Sequence, residues 1–452
     1  MRAALVAAIL SLATPPGVGW AQPGVGPDQP GVEPSSPGPS TLPAQLSLAD
    51  ALRVFRERGF DLLLADAAVA SASGDLAIAK ALPNPVVGGG GGRSFTYDPG
   101  KCDHSGCSRT PWNANLSDQG LLVDLLVGKR RLKVDVAKAA LEAARLSRAD
   151  AERTLTALVK QQYVQVVLAR AALGFASEQA AAAAQTASLV ALRFKAGDVS
   201  EADSARAETQ KLEAERAVDA AQQALALAKA SLAFLLGVRE ASPAFDVDPQ
   251  LPPSTPPGSL AGATADSLLA QAREKRPDLA AARAQLASAE ATVALAKRQR
   301  FPDVALVGGY QQEGHGQEAI QPPTATIGVS LPLPVFYRNG GEITKAEAAL
   351  RTQTVQREKL DAQVASDVAS AFAAYQSAAA RVQRMESRGL DRARRARDLV
   401  EYQYKRGAAS LLELLDAQRT FVATNAEYYQ DMSDYWTAFY QLEEAVGVEL
   451  GP

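Results

Sequence analysis

Four blocks of this chain occur twice in the same order, and that duplication limits the fold more than any other feature. Residues 192–207 (LRFKAGDVSEADSARA) align without a gap on 402–417 (YQYKRGAASLLELLDA). The alignment places Phe194 on Tyr404, Lys195 on Lys405, Gly197 on Gly407, Ser200 on Ser410 and Asp203 on Glu413. The same offset puts Gly237 on Gly447. Upstream, 60–87 matches 277–306 with two residues inserted, and 133–144 matches 342–353. Alanine-rich helices can imitate one another, but shared Pro and Gly punctuation marks a true repeat.

Each unit predicts a helix, a β-hairpin, a very long helix and a further helix. In the first unit the helix covers about 47–81 and stops at Pro83 and Pro85. A glycine-rich strand to about Tyr97 and a return strand from about Asn115 to Val127 follow, then helices over 129–195 and from beyond Gly197 to Leu236. The second unit predicts the same pieces over 264–300, 302–311, 324–335, 341–406 and 409–446. The domain plan is 47–237 with a hairpin in 83–127, a proline-rich connector over 238–262, and 263–450 with a hairpin in 302–335. From Leu411 through Phe421, Tyr428 and Tyr435 to Val446, apolar positions step by three and four, as do Val218 to Leu235. That is the repeat of helices wound on one another.

The hairpins set the compartment. Thr324–Leu331 alternates apolar with small or polar residues, a strand with one dry face and one wet face. Two hairpins cannot form a stable sheet alone, so a membrane barrel shared among several copies is expected. Phe95, Tyr97, Tyr310 and Phe336 stand near strand ends, where interfacial aromatics belong, and Asp118 and Asp124 in the less regular first hairpin must face the lumen. The N-terminus agrees: Arg2, the apolar run Ala3–Leu12 and Gly19-Trp20-Ala21 read as an export signal over 1–21, followed by a Pro/Gly-rich lead-in over 22–46. No apolar run in the body is long and continuous enough to suggest an α-helical span.

Enzyme and nucleic-acid functions find no support. The net charge is −3, and the two histidines, His104 and His315, fall in separate hairpin loops without a nucleophile or metal cluster. Gly88–Gly92 lacks the Lys-Ser/Thr and the helix of a phosphate loop. Cys102 and Cys107, closely spaced in an exported chain, favour a local disulfide over a metal site that would enlist Asp103 and His104. No metal or cofactor is expected.

With the repeats, the Pro-ended helices (Leu82-Pro83-Asn84-Pro85 and Phe301-Pro302-Asp303) and the paired aromatic-Lys-x-Gly turns, the chain resembles the TolC-type outer-membrane efflux family over its mature length. Leu331–Ile343 and Gly128-Lys129-Arg130-Arg131 are similar to motifs of its cobalt–zinc–cadmium resistance branch, with Tyr337 where an acidic residue is usual. The resemblance implies a mainly α fold with a small β contribution: a homotrimer whose twelve strands, four per protomer, close one outer-membrane barrel above a helical periplasmic tunnel. It also implies a periplasmic adaptor, an inner-membrane resistance–nodulation–division pump and contact with outer-membrane lipid. Heavy-metal cations are the expected cargo, with multidrug efflux or type I secretion as alternatives inside the family. An exported trimeric coiled-coil scaffold or adhesin is the rival outside it.

The resemblance places Gly197 and Gly407 at the periplasmic tip, with Lys195, Lys405 and Arg406 toward the adaptor. It makes Asp203, Glu413 and Asp416 an inward ring that attracts cations. The competing role, helix-start residues favoured by the macrodipole, is disfavoured by distance: Asp203 stands six residues past its glycine and Asp416 nine. The position of a gate-bracing arginine is Ala409 here, leaving Lys405 and Arg406 as the nearby basic residues.

Overall fold

The computed structural model describes residues 42–93, 95, 110–118, 128–239, 244–248, 250–251, 253–254, 257–313 and 324–451. The expected export signal, the Cys102–Cys107 pair, Asp103, His104, Tyr97, Asp124 and His315 lie outside them.

Helices α1 (Leu48–Arg58) and α2 (Phe60–Lys80) lead into strand β1 (Val86–Gly91) and its partner β2 (Pro111–Ser117). Helix α3 (Lys129–Lys195) runs unbroken for 67 residues, and α4 (Glu201–Leu235) returns along it. After a 3-10 turn at Gly258–Leu260 the pattern repeats with α5 (Ala265–Lys275), α6 (Pro277–Arg298), β3 (Ala305–Glu313) and β4 (Thr324–Ser330). It ends with α7 (Gly340–Arg384), a π-turn (Met385–Gly389), α8 (Leu390–Lys405) and α9 (Leu411–Val446).

The structure departs from the sequence expectation at two helix breaks, at a π-turn and at strand ends, where β4, expected to reach residue 335, stops at Ser330. The single helices expected at 47–81 and 264–300 are each two, parted at Gly59 and at Arg276. These positions match in the repeat; Pro277 follows the second and keeps Arg276 out of helical backbone (φ −67°, ψ 123°). The second long helix is interrupted by the π-turn, where Glu386 accepts hydrogen bonds from Ser254 Oγ (2.7 Å) and Tyr428 Oη (3.0 Å). The return strand of the first hairpin begins at Pro111, four residues before the expected Asn115. Leu48–Lys80 is also apolar enough, by length and composition, to cross a membrane, although Gly59 divides it and little of it is buried.

All four strands join in one antiparallel sheet, ordered β1-β2-β3-β4, so the two hairpins lie edge to edge. Its register separates a mainly apolar face from a mainly polar one. The first carries Val87, Trp112, Leu116, Leu306, Tyr310, Ile327 and Val329, with Gln312 among them; the second carries Asn113, Asn115, Gln311 and Thr326, with Val86 and Val307 among them. Trp112 and Tyr310 touch on the apolar side, with ring centroids 5.1 Å apart. Glycines on the polar side make room: a Cβ on Gly88 would meet Asn115 Oδ1 at 2.2 Å, and one on Gly309 would meet Thr326 Oγ1 at 2.5 Å. Asp118, expected in the lumen, uses Oδ1 to accept the Leu306 amide (2.8 Å) and so closes the end of the ladder. Phe95 and Phe336 are fully exposed within the chain.

The helices pack where the repeats meet. One cluster joins α3, α5, α7 and α9 around Tyr375, Met432, Tyr435, Phe439 and Leu442; a second joins α1, α3 and α4 around Phe55, Val159 and Leu232. The three-and-four seam of α9 supplies many of these buried residues, each worth roughly 1.5–3 kcal/mol of removal from water. Charged clamps fasten chain ends to this core. Buried Lys160 pairs with Glu443 (3.0 Å) and Glu449 (3.1 Å), and Glu443 also accepts the Leu450 and Gly451 amides (both 2.8 Å). Lys129, only 3% exposed, donates to the Phe301 carbonyl and to Asp303 (both 2.6 Å), fixing the start of α3 to the second hairpin. Tyr337 plays the matching part before α7: its hydroxyl accepts the Gly341 amide (3.0 Å) and donates to Glu342.

Candidate functional site

The turn between α3 and α4 and the turn between α8 and α9 share one geometry, dictated by the residues that the repeat conserves in both. Gly197 (φ 83°) and Gly407 (φ 76°) adopt the left-handed conformation that only glycine takes at little cost. The Gly197 amide donates to Phe194 O (3.0 Å) and the Asp198 amide to Arg193 O (2.9 Å); Gly407 and Ala408 do the same to Tyr404 O (3.0 Å) and Gln403 O (2.9 Å). This closure satisfies carbonyls at the end of the incoming helix. Three residues on, a serine starts the outgoing one. Ser200 Oγ accepts the Asp203 amide (3.1 Å) and Ser410 Oγ accepts the Glu413 amide (3.2 Å).

An apolar knot ties the two turns together. Ala187 and Val190 of α3, Ala207 of α4, Tyr404 of α8 and Leu411, Leu414 and Leu415 of α9 are all buried in it. The Arg193 guanidinium lies over the Tyr404 ring at 5.0 Å, and Arg397 lies over Phe421 at 4.1 Å. Farther up, Arg419 of α9 donates to Gln210 of α4 (3.0 Å), beside a groove lined by Phe175, Ala217 and Tyr429.

The three expected ring carboxylates stand within the first two turns of α4 and α9, but they have different duties. Asp203 is the third residue of α4, which starts at Glu201; it receives a hydrogen bond from Ser200 Oγ (2.8 Å) and pairs with Arg206 (3.1 Å). Glu413 is likewise third in α9, and its carboxylate accepts the Ser410 amide (2.7 Å) in a reciprocal capping box. That amide, helped by the Ser410 hydroxyl, holds the Glu413 carboxyl below its ordinary range. Distance from the glycine was therefore the wrong measure, because each helix begins only after its serine. Asp416 differs: it is exposed, lies beyond the cap, and makes no hydrogen bond or ion pair with any described residue.

Of the expected docking residues, Lys195 is exposed, Lys405 pairs with Glu401 (2.6 Å) and Arg406 stacks over Tyr402 at 5.0 Å. Ala409 packs against the knot. Sequence reasoning aligned Ser200 with Ser410 without giving them a role, and passed over Arg193, Arg397 and Arg419. The serines carried a legible signal, Ser-x-x-Asp and Ser-x-x-Glu before apolar runs; the arginines did not, since their partners are distant in sequence. Among the described residues, no group of three His, Cys, Asp or Glu side chains could hold a metal ion.

Comparison with known proteins identifies the family and the fold. The cobalt–zinc–cadmium resistance protein CzcC of Cupriavidus metallidurans is 26% identical over 412 residues, covering 90% of each chain. The pyoverdine export outer membrane protein OpmQ of Pseudomonas putida is 27% identical, over 83% of this chain and 80% of its own. The crystal structure of CusC shares the fold with a TM-score of 0.72 at 21% identity, over 90% of this chain and 94% of that one. The outer membrane protein VceC of Vibrio cholerae gives 0.71 at 21% identity, over 89% and 97%. The family described as "Outer membrane efflux protein" matches twice, over residues 52–238 and 268–448. The chain belongs to the outer membrane efflux protein family, whose members are channels of the outer membrane rather than enzymes.

Proposed function

We propose that this chain is one protomer of a trimeric exit duct for divalent heavy-metal cations, fed by an inner-membrane pump of the resistance–nodulation–division type through a periplasmic adaptor. The observation that carries the duct is the sheet. Among the described residues it has a mainly apolar face, a mainly polar face and two outer edges with no strand beside them, and only further copies can close such edges within lipid. Three copies of four strands give the twelve that the resemblance implies. The exposed apolar side chains of α2, Leu63, Leu64 and Ile78, fit the same need for a neighbouring copy. The metal cargo is supported by the similarity to CzcC; siderophore or drug export is the second reading, favoured by the similarity to OpmQ. A deletion strain sensitised to zinc, cobalt or cadmium but not to drugs supports the first. The reverse pattern overturns it.

At the tip, Asp203, Glu413 and Asp416 form the proposed selectivity ring, with Asp416 as its free member. Three copies of an unpaired carboxylate around one axis attract cations and resist close approach to one another. Asp416→Asn is expected to lower the cation-to-anion permeability ratio of the reconstituted channel. Glu413→Ala is expected to loosen the start of α9 with a smaller effect on selectivity. Equal reversal potentials for wild type and Asp416→Asn in a salt gradient reject the role. Lys195, Lys405 and Arg406, with the Gly197 and Gly407 turns, form the proposed adaptor contact. Reversing all three charges is expected to abolish co-purification with the adaptor, and intact co-purification counts against the contact.

A further inference from the structure

Helices α4 and α8 each carry a second three-and-four seam that nothing among the described residues covers. On α8 it runs Arg392, Arg395, Leu399, Tyr402, extended by Arg388 in the π-turn and Arg406 at the end. On α4 it runs Glu201, Ala205, Glu208, Leu212, Glu215, Asp219. Every one of these residues is exposed, including the apolar members Leu212 (52%), Leu399 (62%) and Tyr402 (58%). Exposed large side chains at coiled-coil spacing mark a missing helix.

The two seams complement each other in charge and level. Arg395 pairs with Asp391 (3.1 Å) and Glu208 with Lys211 (3.0 Å) within their own helices, whereas Arg388, Arg392, Glu215 and Asp219 form no ion pair with any described residue. The knot holds the two turns at one height, and α4 leaves its turn while α8 approaches its own. At 1.5 Å per residue, Arg392 and Glu215 both lie about 20 Å from the tip, and Arg388 and Asp219 both about 26 Å. Arg395 falls level with Leu212, and Arg406 with Glu201.

They cannot meet within one chain. On α8, Tyr404 and Arg397 face α9, and the arginine seam is on the opposite side. On α4, Gln210 and Ala207 face α9 and α3, and the acidic seam is again on the opposite side. The two faces thus look outward from opposite flanks of the α8–α9–α3–α4 group, which is the disposition of a head-to-tail contact.

We infer that the arginine seam of α8 docks antiparallel on the acidic seam of α4 in a second copy of this chain, making the joint between copies at the tip ionic where the joint within each copy is apolar. This rests on the trimer proposed above, and it adds which residues recognise each other. Salt weakens exposed ion pairs and leaves apolar packing intact, so raised ionic strength is expected to loosen the tip between copies and spare the knot within each.

Two differently tagged copies are co-expressed in a Cys102→Ser/Cys107→Ser background, one with Leu212→Cys and the other with Arg395→Cys. Oxidation in outer membranes is expected to yield a disulfide-linked product bearing both tags. Arg388→Glu/Arg392→Glu in both copies is expected to abolish that product, and adding Glu215→Arg/Asp219→Arg is expected to restore it. The native mass of the solubilised protein is measured alongside. A trimer without the cross-link overturns this seam and leaves the trimer standing; a monomer overturns both. A cross-link indifferent to the charge reversal overturns ionic recognition.

Discussion

Single residues in this chain hold long elements in place by placing charge where it is both buried and paired. Arg276 is 7% exposed, and it joins Asp278 (2.6 Å) to the Ala445 carbonyl (3.0 Å) at the end of α9. Burial works to raise the Asp278 carboxyl, but the hydrogen bond and charge of Arg276 outweigh it and leave the group below its ordinary value of 3.8. A carboxylate depressed in this way stabilises the fold fully above its unfolded value. That contribution is lost as pH falls through the folded one. Asp278→Asn is therefore expected to cost about 3 kcal/mol near neutrality, because it takes the nearest charge from a buried guanidinium and leaves it only Asp367 at 3.8 Å and the Ala445 carbonyl. The gap to wild type is expected to close as pH drops below about 4. Thermal midpoints of the solubilised protein at pH 7 and pH 3 check this, and a gap of constant size rejects it.

At the scale of elements, much of the architecture was legible and the reasons for the failures are specific. The α9 seam could be read because its apolar residues recur at a period that packing demands, and Gly197 and Gly407 because no other residue type ends a helix so cheaply. The divided helices were missed although Pro277 stood in view, since a proline at a helix start resembles one that is merely tolerated. The π-turn was missed, although arithmetic holds its trace: the two units align at an offset of 209 around residue 133 and of 210 around residue 192. One residue was gained in the second long helix, and the π-turn houses it. The pairings across the tip were not legible, because Arg419 and Gln210 are brought together only by the fold. Deleting Gly389 is expected to restore α-helical phase, turning α8 by about 100° and pulling Tyr404 and Arg397 away from α9. Trypsin should then cut within the arginine run of α8 many times faster than in wild type. An unchanged cleavage rate would show that the extra residue sets no register.

At the scale of the whole molecule, the sheet and the helices solve one problem by opposite means. Helices satisfy their own backbone and need neighbours only for side chains, whereas β1 and β4, among the described residues, each have an outer edge with no strand beside it and so demand one. The membrane sharpens that demand, since no water is present to take those hydrogen bonds. It also gives the two faces of the sheet separate meanings. Ile327, 87% exposed, stands on the apolar face, and its neighbour Thr326 on the polar one. An arginine in place of Ile327 must sit in hydrocarbon, at a cost of about 2–4 kcal/mol near the bilayer midplane. The proposed threefold assembly multiplies that cost by the number of copies. Ile327→Arg is therefore expected to deplete folded protein from the outer membrane. Thr326→Arg, one residue away, is expected to insert normally while reducing cation conductance, because its charge faces the water-filled side. Two variants equal in abundance and conductance would mean that the register assigns the faces wrongly, and with it the barrel that the duct requires.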